Sequence, residues 1–118
     1  MHRLEAIDLG SYRGENYQLV GFVEPEPVEG EDYDPDSDAD GYGVTVFRYG
    51  IPPLGENEEI VRMDNCHGQP HLDKEYIPPD ADTGKKMWLD EGYSYTRMKR
   101  YLLANWKRFV DEALEYGW

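Results

Sequence analysis

Residues 94–115 have the sequence SYTRMKRYLLANWKRFVDEALE, which is the clearest helical pattern in the chain. Its apolar side chains recur at steps of three and four residues, as one face of an α-helix requires. They are Tyr95, Met98, Leu102, Trp106, Phe109 and Ala113, with Leu103, Val110 and Leu114 widening the stripe. Ser94 can cap the first turn and Gly117 can end the helix. The pattern predicts a helix over about residues 94–115, with this stripe packed on the core.

The segments before this helix have the composition of strands. Four short stretches are rich in apolar and β-branched residues and are separated by turn residues. They cover residues 4–10, 16–23, 43–49 and 58–64. Successive strands with short connections favour an antiparallel meander, because a parallel crossover needs a dozen or more linking residues. The sequence therefore predicts an α+β fold, in which an antiparallel sheet of about four strands is covered by one long C-terminal helix.

Length and composition bound the class of protein. A chain of 118 residues fits one domain, residues 1–118. The longest apolar run, residues 101–104, is far shorter than the ~20 residues of a membrane span, and the N-terminal residues lack an apolar signal segment. Cys66 is the only cysteine, which excludes an intramolecular disulfide and fits a reducing compartment. We expect a cytoplasmic protein without membrane contact.

The chain is strongly acidic, with 25 acidic and 12 basic side chains and a net charge of −13. Nine acids and no base lie between Glu24 and Asp40, so residues of about 24–42 are predicted to form a solvated loop. Four of them have the alternate spacing of a calcium loop, but Ala39 replaces the expected glycine. This acidity repels nucleic acid at long range. It favours a protein from a salt-loving organism, with a nucleic-acid mimic as the alternative.

A second long loop is predicted over about residues 65–93, where prolines and charges interrupt any period. Its beginning is chemically the richest part of the chain. Residues 62–74, RMDNCHGQPHLDK, contain two of the three histidines and the only cysteine, directly after a predicted strand. Rigid scaffolds commonly place binding and catalytic groups where a strand opens into a loop.

This segment can supply the groups for metal-free phosphodiester cleavage. A neutral imidazole can take the proton of a ribose 2′-hydroxyl, and a protonated imidazole can supply one to the leaving oxygen. His67 and His71 would form that pair, and Arg62 would stabilise the charge on phosphorus. Asp64 or Asp73 could orient one ring.

Two other interpretations of the segment stay open. Cys66, His67, His71 and one aspartate are ligand types that zinc accepts, although four ligands so close in sequence would need a sharply folded backbone. Alternatively the segment is a purely structural turn, because asparagine and glycine tolerate positive φ and histidines can cap backbone groups.

The pattern Arg62-x-Asp64-Asn65-x-His67-Gly68-x-Pro70-His71 resembles the R-x-D-N-x-H-G-x-x-H-x-H segment of the TumE-like toxin family of prokaryotic type II toxin–antitoxin modules. Members of that family have strands before the segment and a helix near the C-terminus. The resemblance implies a small toxin that attacks RNA and is encoded beside a DNA-binding antitoxin. It carries Asp64, Asn65, His67 and His71 over as motif residues. Asp73 stands where the family often has a further histidine.

Together these observations predict the toxin of a toxin–antitoxin pair, acting as a metal-independent endoribonuclease without a cofactor. His67 and His71 would share the acid and base roles, while Asp64 and Asn65 shape the turn and fix a histidine tautomer. The predicted phosphate contacts are Arg62 and, off the apolar stripe of the helix, Arg97, Arg100 and Lys107.

The expected partners are RNA and a cognate antitoxin of the helix-turn-helix type, with self-association left open. The alternative class is a non-enzymatic acidic binding protein, either a nucleic-acid mimic or an accessory protein of a halophile. Its activity would lie in the acids of residues 24–40 and not in the histidines.

Overall fold

The computed structural model describes residues 1–49, 57–66, 68–78 and 84–118. The elements, in chain order, are β1 (His2–Tyr12), β2 (Glu15–Glu24), α1 (Pro35–Asp38), β3 (Gly41–Tyr49), β4 (Asn57–Asp64), β5 (His71–Lys74), β6 (Lys86–Trp88) and α2 (Tyr95–Glu115). The strands form a six-stranded antiparallel sheet whose spatial order is the chain order. This confirms the predicted α+β class, the meander and the long C-terminal helix.

The prediction of one long loop over residues 65–93 is wrong in part, since β5 and β6 lie within it. These strands have only four and three residues. They extend the sheet by pairing β5 with β4 and then β6 with β5. Backbone hydrogen bonds across the sheet, and not an apolar pattern of their own, account for their conformation.

Helix α2 packs on one face of the sheet, against β3 and β4. The side chain of Ser94 caps it by accepting a hydrogen bond from the backbone N–H of Arg97 at 3.2 Å. The shared core contains Tyr17, Leu19, Val44, Val46, Val61, Met63 and Leu72 from the strands and Met98, Leu102, Trp106, Phe109, Val110 and Ala113 from the helix. Within the described ranges, no helix is long and apolar enough to cross a membrane.

The opposite face of the sheet carries polar side chains on its C-terminal strands. Because neighbours in register share a face, Thr45, Arg62, Asp73 and Lys86 form one row across β3 to β6. A second row contains Gly43, Asp64, His71 and Trp88.

A register shift keeps one more acid on this face. Val46 pairs with Val61 but Phe47 pairs with Glu59, so Ile60 is left without a partner on β3. Ile60 therefore forms a β-bulge, and the side chains on either side of it keep their places on the two faces of the sheet. The bulge places Glu59 on the same face as Arg62.

The acidic connection between β2 and β3 contains the short helix α1, which the sequence did not predict. All nine acids from Glu24 to Asp40 are exposed. Asp34 caps α1 by accepting from the backbone N–H of Asp36 at 3.0 Å, and Asp38 accepts from the N–H of Asp34 at 2.8 Å. The carboxylates of Asp34 and Asp38 therefore accept hydrogen bonds from nearby backbone N–H groups. Part of the predicted loop is thus a short helix.

Candidate functional site

The polar face of the sheet borders a cleft of about 450 Å³. Its lining consists of Met1, Arg62, Asp64, Cys66, His71, Asp73 and Lys86. Two adjacent strands supply most of the charged groups, because Arg62 and Asp64 on β4 lie opposite Asp73 and His71 on β5. The hairpin formed by β4 and β5 therefore holds this cluster on paired strands.

His71 lies at the centre of the cluster, with its side chain only 2% exposed. Its Nδ1 is 3.0 Å from the carbonyl oxygen of Gln69. A carbonyl can only accept, so Nδ1 carries the proton of this hydrogen bond. Its Nε2 lies 3.3 Å from Oδ1 of Asp64 and 3.2 Å from Oδ2 of Asp73. The buried ring is thus oriented by a backbone carbonyl and directs its other nitrogen between two carboxylates.

Arg62 connects four carboxylates around that ring. Its Nε lies 2.9 Å from Oδ2 of Asp64, and its Nη1 lies 3.3 Å from Oε1 of Glu59. Its Nη2 lies 3.5 Å from Oδ2 of Asp73 and 3.9 Å from Oε1 of Glu75. Burial alone would lower the pKa of Arg62, but these four carboxylates outweigh it and raise the pKa above its usual value. The guanidinium therefore stays charged.

The cluster contains more acids than bases. Lys86 is the second cation, with its Nζ 3.8 Å from Oδ1 of Asp73. Asp64 and Asp73 have side chains only 4% and 7% exposed, so both carboxylates are largely removed from water. Burial also raises the pKa of Glu59, although Arg62 opposes this shift. Among the described residues, four carboxylates therefore face two side-chain cations.

Asn65 and Cys66 shape the turn that follows β4. The side-chain oxygen of Asn65 accepts from the N–H of Tyr42 at 2.8 Å, and its amide donates to the carbonyl of Asp40 at 3.0 Å. Oδ1 of Asp64 accepts from the N–H of Cys66 at 2.9 Å. Burial raises the pKa of the Cys66 thiol, and the charge of Asp64 adds to this effect. The thiol therefore loses its proton less readily than an ordinary cysteine, at the edge of the cleft.

The predicted histidine pair is described for only one member. His67 lies outside the described residues, so the pairing of His67 with His71 stays a prediction. Both ring nitrogens of His71 face oxygen atoms within 3.3 Å. A substrate oxygen would therefore share Nε2 with two carboxylates.

The predicted phosphate contacts of the helix do not line the cleft. Arg97, Arg100 and Lys107 belong to α2, which packs on the other face of the sheet. The guanidinium of Arg97 lies 4.2 Å from the centre of the Tyr93 ring. The ammonium of Lys107 lies 5.3 Å from the centre of the Tyr12 ring. These two cations cover aromatic rings on the helix side.

Several groups of the cluster were missed by reasoning from the sequence. Asp73 was predicted only as an orienting carboxylate, and Glu59, Glu75 and Lys86 were not predicted at all. One signal could have found Asp73. Arg62 and Asp64 are two residues apart, as are His71 and Asp73, and this spacing puts each pair on one strand face.

Comparisons with protein-family models, curated proteins and solved structures found no match to this chain.

Proposed function

We propose that this chain is the toxin of a toxin–antitoxin pair and that it cleaves RNA in the cleft beside His71. The observation that supports this best is that Arg62, Asp64 and His71 line one cleft together with Asp73. The first three belong to residues 62–71, the toxin-like segment. An oriented imidazole and fixed cations are groups that phosphodiester cleavage can use.

The reaction that fits these groups is transphosphorylation of RNA. The 2′-oxygen forms a bond to phosphorus and the bond from phosphorus to O5′ breaks. The 2′-hydroxyl loses one proton to a basic group of the cluster, and O5′ gains one proton from a protonated group of the cluster or from water. The products are a 2′,3′-cyclic phosphate and a 5′-hydroxyl. This reaction needs no redox partner, and the ribose supplies its own nucleophile.

Arg62 and Lys86 are the cations that can approach a phosphate. Their side chains are 43% and 44% exposed, whereas the carboxylates of Asp64 and Asp73 lie deeper. A phosphate at the mouth of the cleft would accept from the outer N–H groups of Arg62. An antitoxin that covers this mouth would inhibit the enzyme by excluding RNA.

Induced expression followed by inspection of cellular RNA tests the proposal. We expect growth arrest and new RNA ends that carry 2′,3′-cyclic phosphate. With purified protein and total RNA, Arg62→Gln should slow cleavage about 10²-fold. His71→Ala should slow it by a similar or larger factor. Arg13→Gln is the matched control, because Arg13 is an exposed arginine that pairs with Asp111 away from the cleft. Cleavage by Arg62→Gln and His71→Ala at the parent rate would refute the proposal.

A second candidate function rests on the nine exposed acids between Glu24 and Asp40. Their density suits a protein that masks a basic partner by imitating a phosphate backbone. Replacing Glu26, Glu29, Glu31 and Asp32 by their amides removes charge while leaving the caps of α1 in place. Growth arrest that survives this change supports RNA cleavage, and growth arrest that disappears supports mimicry.

A further inference from the structure

We propose that Asp64, His71 and Asp73 bind one divalent transition-metal cation, and that this cation is required for RNA cleavage in the cleft. Only the requirement of the metal for RNA cleavage rests on the proposed function. Binding of the metal stands on the geometry of three side chains from β4 and β5.

The separations between the three groups are those of ligands that share an ion. Nε2 of His71 lies 3.3 Å from Oδ1 of Asp64 and 3.2 Å from Oδ2 of Asp73. One ligand atom from each residue lies within 4.8 Å of the others. Bonds of about 2.0–2.2 Å to nitrogen and oxygen place neighbouring ligands roughly 2.8–3.6 Å apart, with octahedral geometry at the lower end and tetrahedral geometry at the upper end. Both distances from Nε2 fall in this interval.

The surroundings orient each group as metal ligands are usually oriented. Metal-bound histidines commonly donate their other N–H to a carbonyl, as Nδ1 of His71 does to Gln69. Because Nδ1 carries this proton, Nε2 is the ring nitrogen that can bind a cation, and it lies between the two carboxylates. The far oxygens of the carboxylates are held from outside, Oδ2 of Asp64 by Arg62 and Oδ1 of Asp73 by Lys86.

The charge of the cluster also fits a divalent cation. The carboxylates of Glu59, Asp64, Asp73 and Glu75 face the cations of Arg62 and Lys86. Among the described residues, and without counting His71, these groups sum to two negative charges around the buried carboxylates of Asp64 and Asp73. One divalent cation neutralises them, whereas buried charge without compensation is costly.

The mixture of ligands selects the class of metal. Imidazole nitrogen suits zinc and other later transition metals, and carboxylate oxygen suits manganese and magnesium. One nitrogen with two oxygens therefore fits Mn²⁺ or Zn²⁺ better than Mg²⁺, which takes oxygen ligands and keeps most of its waters. The thiol of Cys66 is not part of this set of three ligand atoms.

A cation at this position removes an obstacle to the proposed reaction. Four carboxylates repel the phosphate of an approaching RNA, and Arg62 is already paired with them. A divalent cation would offset this repulsion. When bound, it would polarise the phosphate and lower the pKa of a coordinated water. Because Nε2 of His71 would then be a ligand, the proton of the 2′-hydroxyl would go to that water or to another basic group of the cluster.

The test uses the whole purified chain, freed of metal with EDTA and titrated with Mn²⁺ at high ionic strength. Electron paramagnetic resonance should show one bound Mn²⁺ per chain with magnetic coupling to an imidazole nitrogen. Asp73→Asn should weaken binding at least about 10-fold, and His71→Asn should also remove the nitrogen coupling. His2→Asn is the matched control, because His2 is an exposed histidine beside Glu26. We expect its stoichiometry and coupling to equal those of the parent.

The outcomes separate metal binding from RNA cleavage. A parent protein that lacks saturable binding or nitrogen coupling refutes the metal site, even where a variant fails to fold. Binding that Asp73→Asn and His71→Asn leave unchanged refutes it as well. Cleavage that persists in EDTA overturns the metal requirement while leaving the proposed function in place. One bound Mn²⁺ without RNA cleavage under any condition supports the metal site and refutes the proposed function.

Discussion

The hydroxyl of Tyr95 donates to Oε2 of Glu5 across 2.5 Å and joins the first turn of α2 to the edge strand β1. Oε1 of the same carboxylate accepts from Nζ of Lys99 at 2.7 Å. Tyr95 is 2% exposed, so this contact lies at the boundary of the core. The carboxylate of Glu5 therefore anchors β1, at the edge of the sheet, to the first turn of α2.

Removal of the Tyr95 hydroxyl should weaken this anchor. Tyr95→Phe leaves the ring in the core but removes the hydrogen bond that the hydroxyl donates to the charged carboxylate of Glu5. We expect the free energy of unfolding to fall by about 1–3 kcal/mol. Chemical denaturation measures the change. Tyr116→Phe is the control, because Tyr116 is 50% exposed, and its effect should stay within about 0.5 kcal/mol. Equal effects of the two substitutions would contradict the role given to the hydroxyl.

The approach of Tyr95 to β2 requires a glycine at position 21. A Cβ on Gly21 would lie 1.9 Å from Oη and 2.8 Å from Cζ of Tyr95. We therefore expect Gly21→Ala to destabilise the fold by about 1–3 kcal/mol or more, because the ring cannot move without leaving the core. Thermal unfolding followed by circular dichroism measures this.

Two further variants show whether this clash is the cause. Gly92→Ala adds a Cβ where nothing lies within 4 Å, so its effect should be small. The double variant Gly21→Ala with Tyr95→Phe lacks the atom of closest approach. Its loss of stability should be smaller than the sum of the two single losses, as expected for residues in contact. Strict additivity would count against a direct clash.

The helix and the first four strands could be predicted because their signals are local. The stripe of α2 and the cap at Ser94 are visible within a few turns of sequence, and the early strands have apolar alternation. The strands β5 and β6 have no such signal. In residues 71–74, HLDK, only Leu72 is aliphatic, and its conformation depends on pairing with Met63 of a strand that precedes it. Non-local pairing of this kind cannot be predicted from a short window.

The candidate site was predictable only as far as the sequence segment reached. Arg62, Asp64 and His71 were expected to act together, and the structure places them at one cleft. Glu75 and Lys86 come from outside residues 62–71. Glu75 directly follows β5, and Lys86 lies on β6 opposite Asp73. Glu59 faces the cluster because of the bulge at Ile60. A shift of one residue in register would have moved these side chains to the other face of the sheet.

The anchor at Glu5 also makes stability depend on pH. Burial alone would raise the pKa of Glu5, but hydrogen bonds from Lys99 and Tyr95 outweigh it and leave the pKa below its ordinary value of 4.5. A carboxylate whose pKa is lowered by folding adds stability above its unfolded pKa, and loses it as the pH falls through the folded value. The parent should therefore exceed Glu5→Gln in stability by the most near neutral pH.

Unfolding by urea at a series of pH values measures this difference. It should shrink steadily as the pH falls below about 4.5, where the carboxylate of the unfolded chain takes up its proton. Glu29→Gln, at an exposed position of the acidic connection, should show no comparable trend. A difference for Glu5→Gln that grows toward acid pH would contradict a lowered pKa in the folded state.

Asp36 connects the acidic segment to the same end of α2. Its Oδ1 accepts from the backbone N–H of Thr96 at 2.9 Å, so a carboxylate from α1 satisfies one of the free donors of the helix and faces the positive end of its dipole. Asp36→Ala should lower the free energy of unfolding by about 0.5–2 kcal/mol. Asp32→Ala is the matched control, because Asp32 is an exposed acid of the same acidic segment. Because salt screens the attraction between a carboxylate and a helix end, the loss should be larger at low ionic strength. A loss for Asp36→Ala that equals that of Asp32→Ala at every salt concentration would show that this cap does not stabilise the helix.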